Sequence, residues 1–168
     1  MSTKEHKASA PRHVTLGIIT VSTTRSLAED QSGRWIRNAV GKEGHTVVCH
    51  DVVSDDIDRI TRMVLAVIED PAPQAILLTG GTGISEKDVT IESIRPLLDK
   101  ELTAFGALFA QLSYEEIGSA ALLSRAMAGL IGNTILFCMP GSLKACQLAC
   151  NALILPELGH LVRHILKG

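Results

Sequence analysis

Four short apolar runs recur along the chain, and each opens into a polar loop before a segment with helical spacing. The runs are Val14–Val21, Thr46–Val53, Ala75–Thr79 and Thr134–Met139. Rich in β-branched residues and lacking polar alternation, they predict strands buried on both faces. Trp35, Ile36, Ala39 and Val40 follow the first run at helical spacing. Ile57, Ile60, Val64, Leu65 and Ile68 follow the second until Pro71-Ala72-Pro73 stops the helix. A helix from about Thr90 to Leu98 follows the third, and another is expected around Leu102, Phe105, Leu108 and Phe109. The last run leads into a long C-terminal helix, Leu143–Leu166, with a break at Pro156. Strands alternating with helices predict a three-layer, doubly wound α/β fold, its sheet mostly parallel with helices on both faces. Tyr114–Ser119 predicts a turn, and Met127–Ile131 fits a helix or a strand equally well.

In such a sheet ligands bind outside the carboxyl ends of the strands. The loops Ser22–Gly33, Ser54–Asp56, Thr79–Asp88 and Pro140–Ser142 should therefore share one edge. The third is the most distinctive: Thr79-Gly80-Gly81-Thr82-Gly83, then Ile84-Ser85-Glu86-Lys87-Asp88. It matches neither the dinucleotide fingerprint nor a Walker A loop. Three glycines and two hydroxyls exceed what a tight turn requires, and glycine lets backbone N–H groups approach an anion closely. Asp55 and Asp88 stand at the same edge, each ahead of a helix. Taken singly, either reads as a helix cap. Together with a bound phosphate they could hold Mg²⁺, which needs only one or two protein carboxylates. Pro140-Gly141-Ser142 offers a second loop ahead of a helix, with Ser142 equally suited to capping. Arg125 lies in an apolar segment and needs an internal carboxylate or an anionic ligand as partner. Asp30, Ser32 and Gly33 carry turn-and-cap readings, and His160 and His164 read as a solvated helix end. No Ser/His/Asp or Cys/His nucleophile arrangement is suggested by the spacing.

Composition narrows the function classes. With 16 Lys+Arg against 18 Asp+Glu, net charge −2 and only 3% aromatic residues, nucleic-acid binding is disfavoured and the core must be aliphatic. No apolar stretch reaches the length of a membrane span. The polar segment 1–12 is expected to be a disordered tail rather than a secretory signal, ahead of a single domain at 13–168. The expected location is the cytoplasm. Cys49, Cys138, Cys146 and Cys150 lie in apolar segments without Cys-x-x-Cys spacing and read as buried thiols.

The motifs together resemble the MogA/MoaB family of molybdenum cofactor biosynthesis, related to the gephyrin G domain and its plant counterpart. The resemblance rests on Thr79–Gly83 with Asp88-Val89-Thr90 and on Asp30-Gln31-Ser32-Gly33. Ser124-Arg125-Ala126-Met127-Ala128-Gly129 and Met139-Pro140-Gly141-Ser142-Leu143-Lys144-Ala145 complete it. The stretch from Phe105-Gly106 to Ile117-Gly118 looks most like the MoaB branch. The resemblance implies a molybdopterin-binding fold and, in active members, molybdopterin adenylyltransferase chemistry. There the terminal phosphate of molybdopterin attacks the α-phosphate of Mg-ATP, giving adenylyl-molybdopterin and pyrophosphate. It implies that Asp55 and Asp88 serve catalysis and Mg²⁺. It further implies that Ser22, Thr23, the Thr79–Gly83 loop, Ser124, Arg125 and Pro140–Ser142 line the pterin and nucleotide cleft. It also implies a homo-oligomer, a trimer or, in the MoaB branch, a hexamer. Thr23 stands where many active relatives carry Asp, Lys87 replaces an Arg, and Ile91 and Leu143 replace prolines. Two readings follow: an adenylyltransferase, or a MoaB-type protein that holds the pterin without catalysis.

Overall fold

The computed structural model describes residues 13–167, so the expected tail at 1–12 lies outside the described residues. The four apolar runs become β1 (Thr15–Val21), β2 (Thr46–Val53), β3 (Ala75–Thr79) and β6 (Thr134–Met139). Two further strands, β4 (Lys100–Glu101) and β5 (Met127–Ile131), complete a six-stranded sheet in the order β2-β1-β3-β6-β5-β4. The first four strands in that order are parallel, and β5 and β4 each run antiparallel to their neighbour. The helices are α1 (Gln31–Lys42), α2 (Ile57–Glu69), α3 (Thr90–Ile94), α4 (Thr103–Ile117), α5 (Leu143–Ala149) and α6 (Leu158–Lys167).

Successive strand residues point to opposite faces, and here both faces are apolar. Leu16, Ile18, Leu77, Ile135 and Phe137 pack beneath Ile36 and Val40 of α1, Phe109 of α4, Cys146 of α5 and Leu158 of α6. Ile19, Val21, Ile76, Leu78 and Cys138 face the other way, against Ile60 and Val64 of α2 and Ile91 and Ile94 of α3. The sheet is thus the middle of three layers, as the alternation of strands and helices predicts.

Two expectations need correction, each for a local reason. Tyr114–Ser119 is not a turn: α4 runs to Ile117, and a 3-10 turn over Gly118–Leu123 follows. Its buried stripe is Phe105, Phe109 and Ser113, so Glu115 and Glu116 belong to the solvent face rather than to a loop. The chain turns at Gly118, whose φ of +61° suits glycine alone. The helix expected over Thr90–Leu98 stops at Ile94 and tightens into a 3-10 turn over Arg95–Leu97, where Pro96 supplies no N–H. The break expected at Pro156 is present: α5 continues through a π-helical turn, Cys150–Ile154, and α6 starts at Leu158 at 57° to it. The open segment Met127–Ile131 is a strand, pairing with β6 on one side and β4 on the other. Among the described residues no single helix is long and apolar enough to cross a membrane.

Aromatic residues are scarce, so each carries much of its layer. Phe137 is 2% exposed and meets Phe105 edge to face, with ring centroids 5.2 Å apart. Phe137→Ala should cost about 3–5 kcal/mol through lost burial and the remaining cavity. Urea unfolding would register this as a lower midpoint at unchanged slope, and an unaltered midpoint would contradict the packing described.

Candidate functional site

The chain leaves β1 for β2 on one side and leaves β3 toward β6 on the other, so the sheet's switch point lies between β1 and β3. The backbones there approach very closely. Gly80 has φ +99°, and a Cβ on it would strike the carbonyl oxygen of Val21. Gly81 has φ +62°, and a Cβ would sit 2.5 Å from Thr90 Oγ1. The loop is pinned by the Gly80 N–H donating to Met139 O at 3.0 Å and the Thr90 N–H donating to Gly81 O at 2.9 Å. The Thr90 hydroxyl adds a bond to Gly80 O at 2.7 Å. Both glycines are therefore required by the turn itself, and the same crowding keeps a stretch of bare backbone at the edge.

Beside this loop lies a cleft of about 430 Å³ lined by Ser22, Thr23, Asp55, Gly80, Gly81, Gly141 and Ser142. Thr24, Arg25 and Lys87 also line it. All four strand-end loops thus meet at one edge, as the sequence predicts. Asp55 does not cap α2; Asp56 does, accepting from the Arg59 N–H at 2.9 Å. Asp55 instead accepts from the Thr23 N–H at 2.6 Å and the Thr23 hydroxyl at 2.7 Å, both through Oδ2. Its other oxygen, Oδ1, faces the glycine loop, 3.4 Å from where a Gly81 Cβ would stand.

Asp88 does not cap α3, whose N-cap is Val89. Its Oδ2 accepts from the Ser85 hydroxyl at 2.6 Å and the Ser85 N–H at 2.9 Å, and the carboxylate lies against Gly83. The Ser85 hydroxyl bond, with help from the Ser85 and Gly83 N–H groups and Arg125, outweighs burial and holds this carboxyl below its ordinary range. Asp88 is ionised at neutral pH and adjoins the loop, although its side chain does not line the cleft.

The remaining sequence-derived residues divide by role. Ser142 caps α5, accepting from the Ala145 N–H at 3.2 Å, and still lines the cleft. Thr79 is fully buried; its hydroxyl donates to Pro140 O at 3.2 Å and so ties the β3 end to the Pro140–Ser142 loop. Thr82 is 2% exposed, and among the described residues its Oγ1 is the buried side-chain polar atom without a hydrogen-bond partner. Ser124 and Arg125 do not line the cleft. Arg125 turns inward: Nε donates to Thr82 O at 3.0 Å and Gly83 O at 2.9 Å. Its Nη atoms fork onto Glu92 at 2.5 and 3.1 Å, and Nη2 reaches Asp88 O at 3.3 Å. The carboxylate that pairs with Arg125 is Glu92, itself exposed rather than internal, and together they brace the loop.

His50 and Arg25 were not singled out by sequence reasoning. Asp30 is fully buried and accepts from the Gly33 N–H at 2.9 Å and the Thr20 hydroxyl at 2.6 Å, with His50 Nε2 at 2.8 Å. Through this cluster the start of α1 is fixed to β1 and β2, and Ser32 donates from α1 to Gly141 O at 3.0 Å. The signal for His50 was its place in β2 at the strand position paired with Ile18, where a polar side chain must find a partner. Arg25 was hidden in a polar loop.

Fold and cleft define a doubly wound α/β protein built around a glycine-loop cleft at its switch point. The family described as probable molybdopterin binding domain matches residues 17–160. The chain is 49% identical over 168 residues to molybdenum cofactor biosynthesis protein B of Bacillus subtilis (strain 168), covering 99% of each. A crystal structure of molybdenum cofactor biosynthesis protein B superposes with TM-score 0.92 at 45% identity, over 95% of this chain and 100% of that one. The tungsten cofactor synthesizing protein MoaB from Pyrococcus furiosus gives TM-score 0.81 at 37% identity, over 93% of this chain and 99% of its own. The chain belongs to the MogA/MoaB family, in its MoaB branch.

The Asp30 cluster yields a pH prediction. Burial alone would raise the Asp30 carboxyl, but the Thr20 hydroxyl, the Gly33 N–H and His50 together hold it below its ordinary value of 3.8. A carboxyl lowered by folding contributes stability above its unfolded pKa and loses it as pH falls through the folded pKa. Asp30→Asn should cost about 2–4 kcal/mol at neutral pH, with the difference from wild type shrinking below about pH 4. Urea unfolding between pH 7 and 3 measures this; a difference constant across that range would contradict it.

Proposed function

We propose that this protein acts in molybdenum cofactor biosynthesis, in the cytoplasm, by Mg-ATP-dependent adenylylation of molybdopterin, releasing pyrophosphate. The observation that carries this reading is Asp55: Thr23 holds one of its oxygens while the other faces the glycine loop inside the cleft. The names of its relatives support the pathway, and the geometry supports the chemistry. The substrate's own phosphate is the nucleophile, so the protein needs to hold two phosphorylated molecules in line rather than supply an attacking side chain.

The donor set fits Mg²⁺. Among the described residues no cluster of three or more His, Cys, Asp or Glu side chains could cage a metal. Mg²⁺ takes one or two carboxylates and completes its octahedron with phosphate oxygens and water, so Asp55, the carboxylate that lines the cleft, would suffice as its protein ligand. When bound, the ion would offset charge on the phosphates during transfer. The chain's own part is to orient. The glycine loop presents backbone to the phosphates, Ser22, Gly141 and Ser142 close the cleft, and Arg125 with Glu92 keeps the loop in shape.

The second reading, a pterin-holding protein without catalysis, is favoured by Thr23. It adds a hydroxyl where many active relatives carry a carboxylate, so this part of the cleft has one acidic group fewer. In either reading the molecule is a homo-oligomer, a trimer or hexamer, supported by exposed Leu108, Tyr114, Ile117, Leu122 and Leu123 along α4 and the following turn. Leu122, 83% exposed, is the test position: Leu122→Glu should lower the mass in sedimentation, and an unchanged mass would remove that face from the interface.

Single-turnover reaction with molybdopterin and Mg-ATP separates the two readings. Wild type should form adenylyl-molybdopterin, while Asp55→Asn and Asp88→Asn should each slow it by about 100-fold or more. Pterin affinity by titration calorimetry should be retained in both variants. Pterin binding by wild type with no product would select the non-catalytic reading.

A further inference from the structure

Asp55 is the one carboxylate among the cleft-lining residues, and it is engaged by Thr23. Two cations line the same cleft, Arg25 from the loop after β1 and Lys87 from the segment after the glycine loop. Neither has a carboxylate partner within salt-bridge distance among the described residues. Arg25 touches the protein only weakly, its Nη1 3.4 Å from Gly141 O. Glu29, the acidic residue nearest in sequence, is already held by the Ser26 N–H at 3.0 Å and the Ser26 hydroxyl at 2.7 Å. Arg25 also lines a second cavity of about 250 Å³, bounded by Glu29, Gln31, Ser32 and the Gly141–Leu143 turn. Its guanidinium therefore borders both spaces, beside the Gly141 turn that packs on Gly80.

Exposed cations are commonly just solvated, and one alone would mean little. Two from separate loops in one cleft, neither neutralised and both beside a glycine loop, make a site with excess positive charge. A single phosphate leaves much of about 430 Å³ empty, whereas a chain of phosphates can meet both cations and the loop together. Arginine's planar fork suits phosphate oxygens, and lysine acts as a point charge.

We infer that Arg25 and Lys87 form a two-cation clamp for the polyphosphate of a nucleoside triphosphate. It deepens the adenylyltransferase reading and rests on it for the nucleotide's identity. Arg25 then sets specificity for the number of phosphates, holding the pyrophosphate end while the α-phosphate stays beside the glycine loop.

The test is titration calorimetry of the full chain with tripolyphosphate and, separately, with inorganic phosphate, both with Mg²⁺. Arg25→Met and Lys87→Met should each weaken tripolyphosphate binding about tenfold or more, and inorganic phosphate much less. Arg25→Lys should recover part of the loss, and added salt should weaken wild type more than either variant. Lys42→Met, at the far end of α1, is the control and should bind as wild type does. No tripolyphosphate binding by wild type, Arg25→Met binding unchanged, or equal losses for the two anions would each overturn the clamp. Failure of the enzymatic reading is distinguishable. Wild type that binds tripolyphosphate but forms no adenylyl-molybdopterin ends that reading and leaves the clamp. Turnover with an unchanged KM for ATP in Arg25→Met ends the clamp alone.

Discussion

The carbonyl of Val21 leaves no room for a side chain at residue 80, and this closeness of β1 and β3 dictates the rest of the edge. Because the chain diverges to opposite sides of the sheet at these two strands, a gap opens above them. Backbone rather than side chains must line the floor of that gap. Positive φ at Gly80 and Gly81 makes the turn, and Thr90 closes it with both its N–H and its hydroxyl. Replacing either glycine would force apart the strand ends that define the cleft. Local sterics and ligand access are thus the same constraint.

Around that floor, polar groups act in two ranks. Thr79, Ser32 and the Asp30–His50–Thr20 cluster sit behind the cleft and bind loop to strand or helix to loop. Burial makes these bonds matter, since an unpaired donor or acceptor there would be costly. Arg125 also holds the loop from outside the cleft, although it and Glu92 are partly exposed. It satisfies three loop carbonyls, and the Glu92 carboxylate balances its charge. Asp55, Arg25 and Lys87 form the other rank, facing the space itself. From sequence, an arginine in an apolar segment calls for an internal carboxylate or an anionic ligand; here its partners are loop carbonyls and the exposed Glu92.

The sequence's periodicity carried most of the fold. β1, β2, β3 and β6 are long, apolar and bounded by turn residues, so their type and the three-layer arrangement were legible. β4 spans two residues and β5 pairs antiparallel in a stretch of small residues, and neither leaves a periodic signal. The end of α4 was misread because Glu115 and Glu116 occupy its solvent face, where charge says nothing about helix or turn. At the site, strand-end loops and glycines were readable because topology fixes where they go. Which of two adjacent aspartates caps α2 was not, since Asp55 and Asp56 differ only in where the chain points them.

That pair also bears on whether the cleft reacts. Asp56 takes the capping duty, so Asp55 is free of the helix, and Thr23 then fixes Oδ2 through two short bonds. A carboxylate restrained on one oxygen keeps the other aimed, a preorganisation that the proposed phosphoryl transfer would use. A second carboxylate at residue 23 would repel Asp55 unless a cation lay between them, whereas threonine holds Asp55 in place unaided. Thr23 therefore gives up one anionic group while keeping the orientation of the other. With Arg25 and Lys87 unneutralised nearby, the cleft is less acidic than one carrying Asp at position 23.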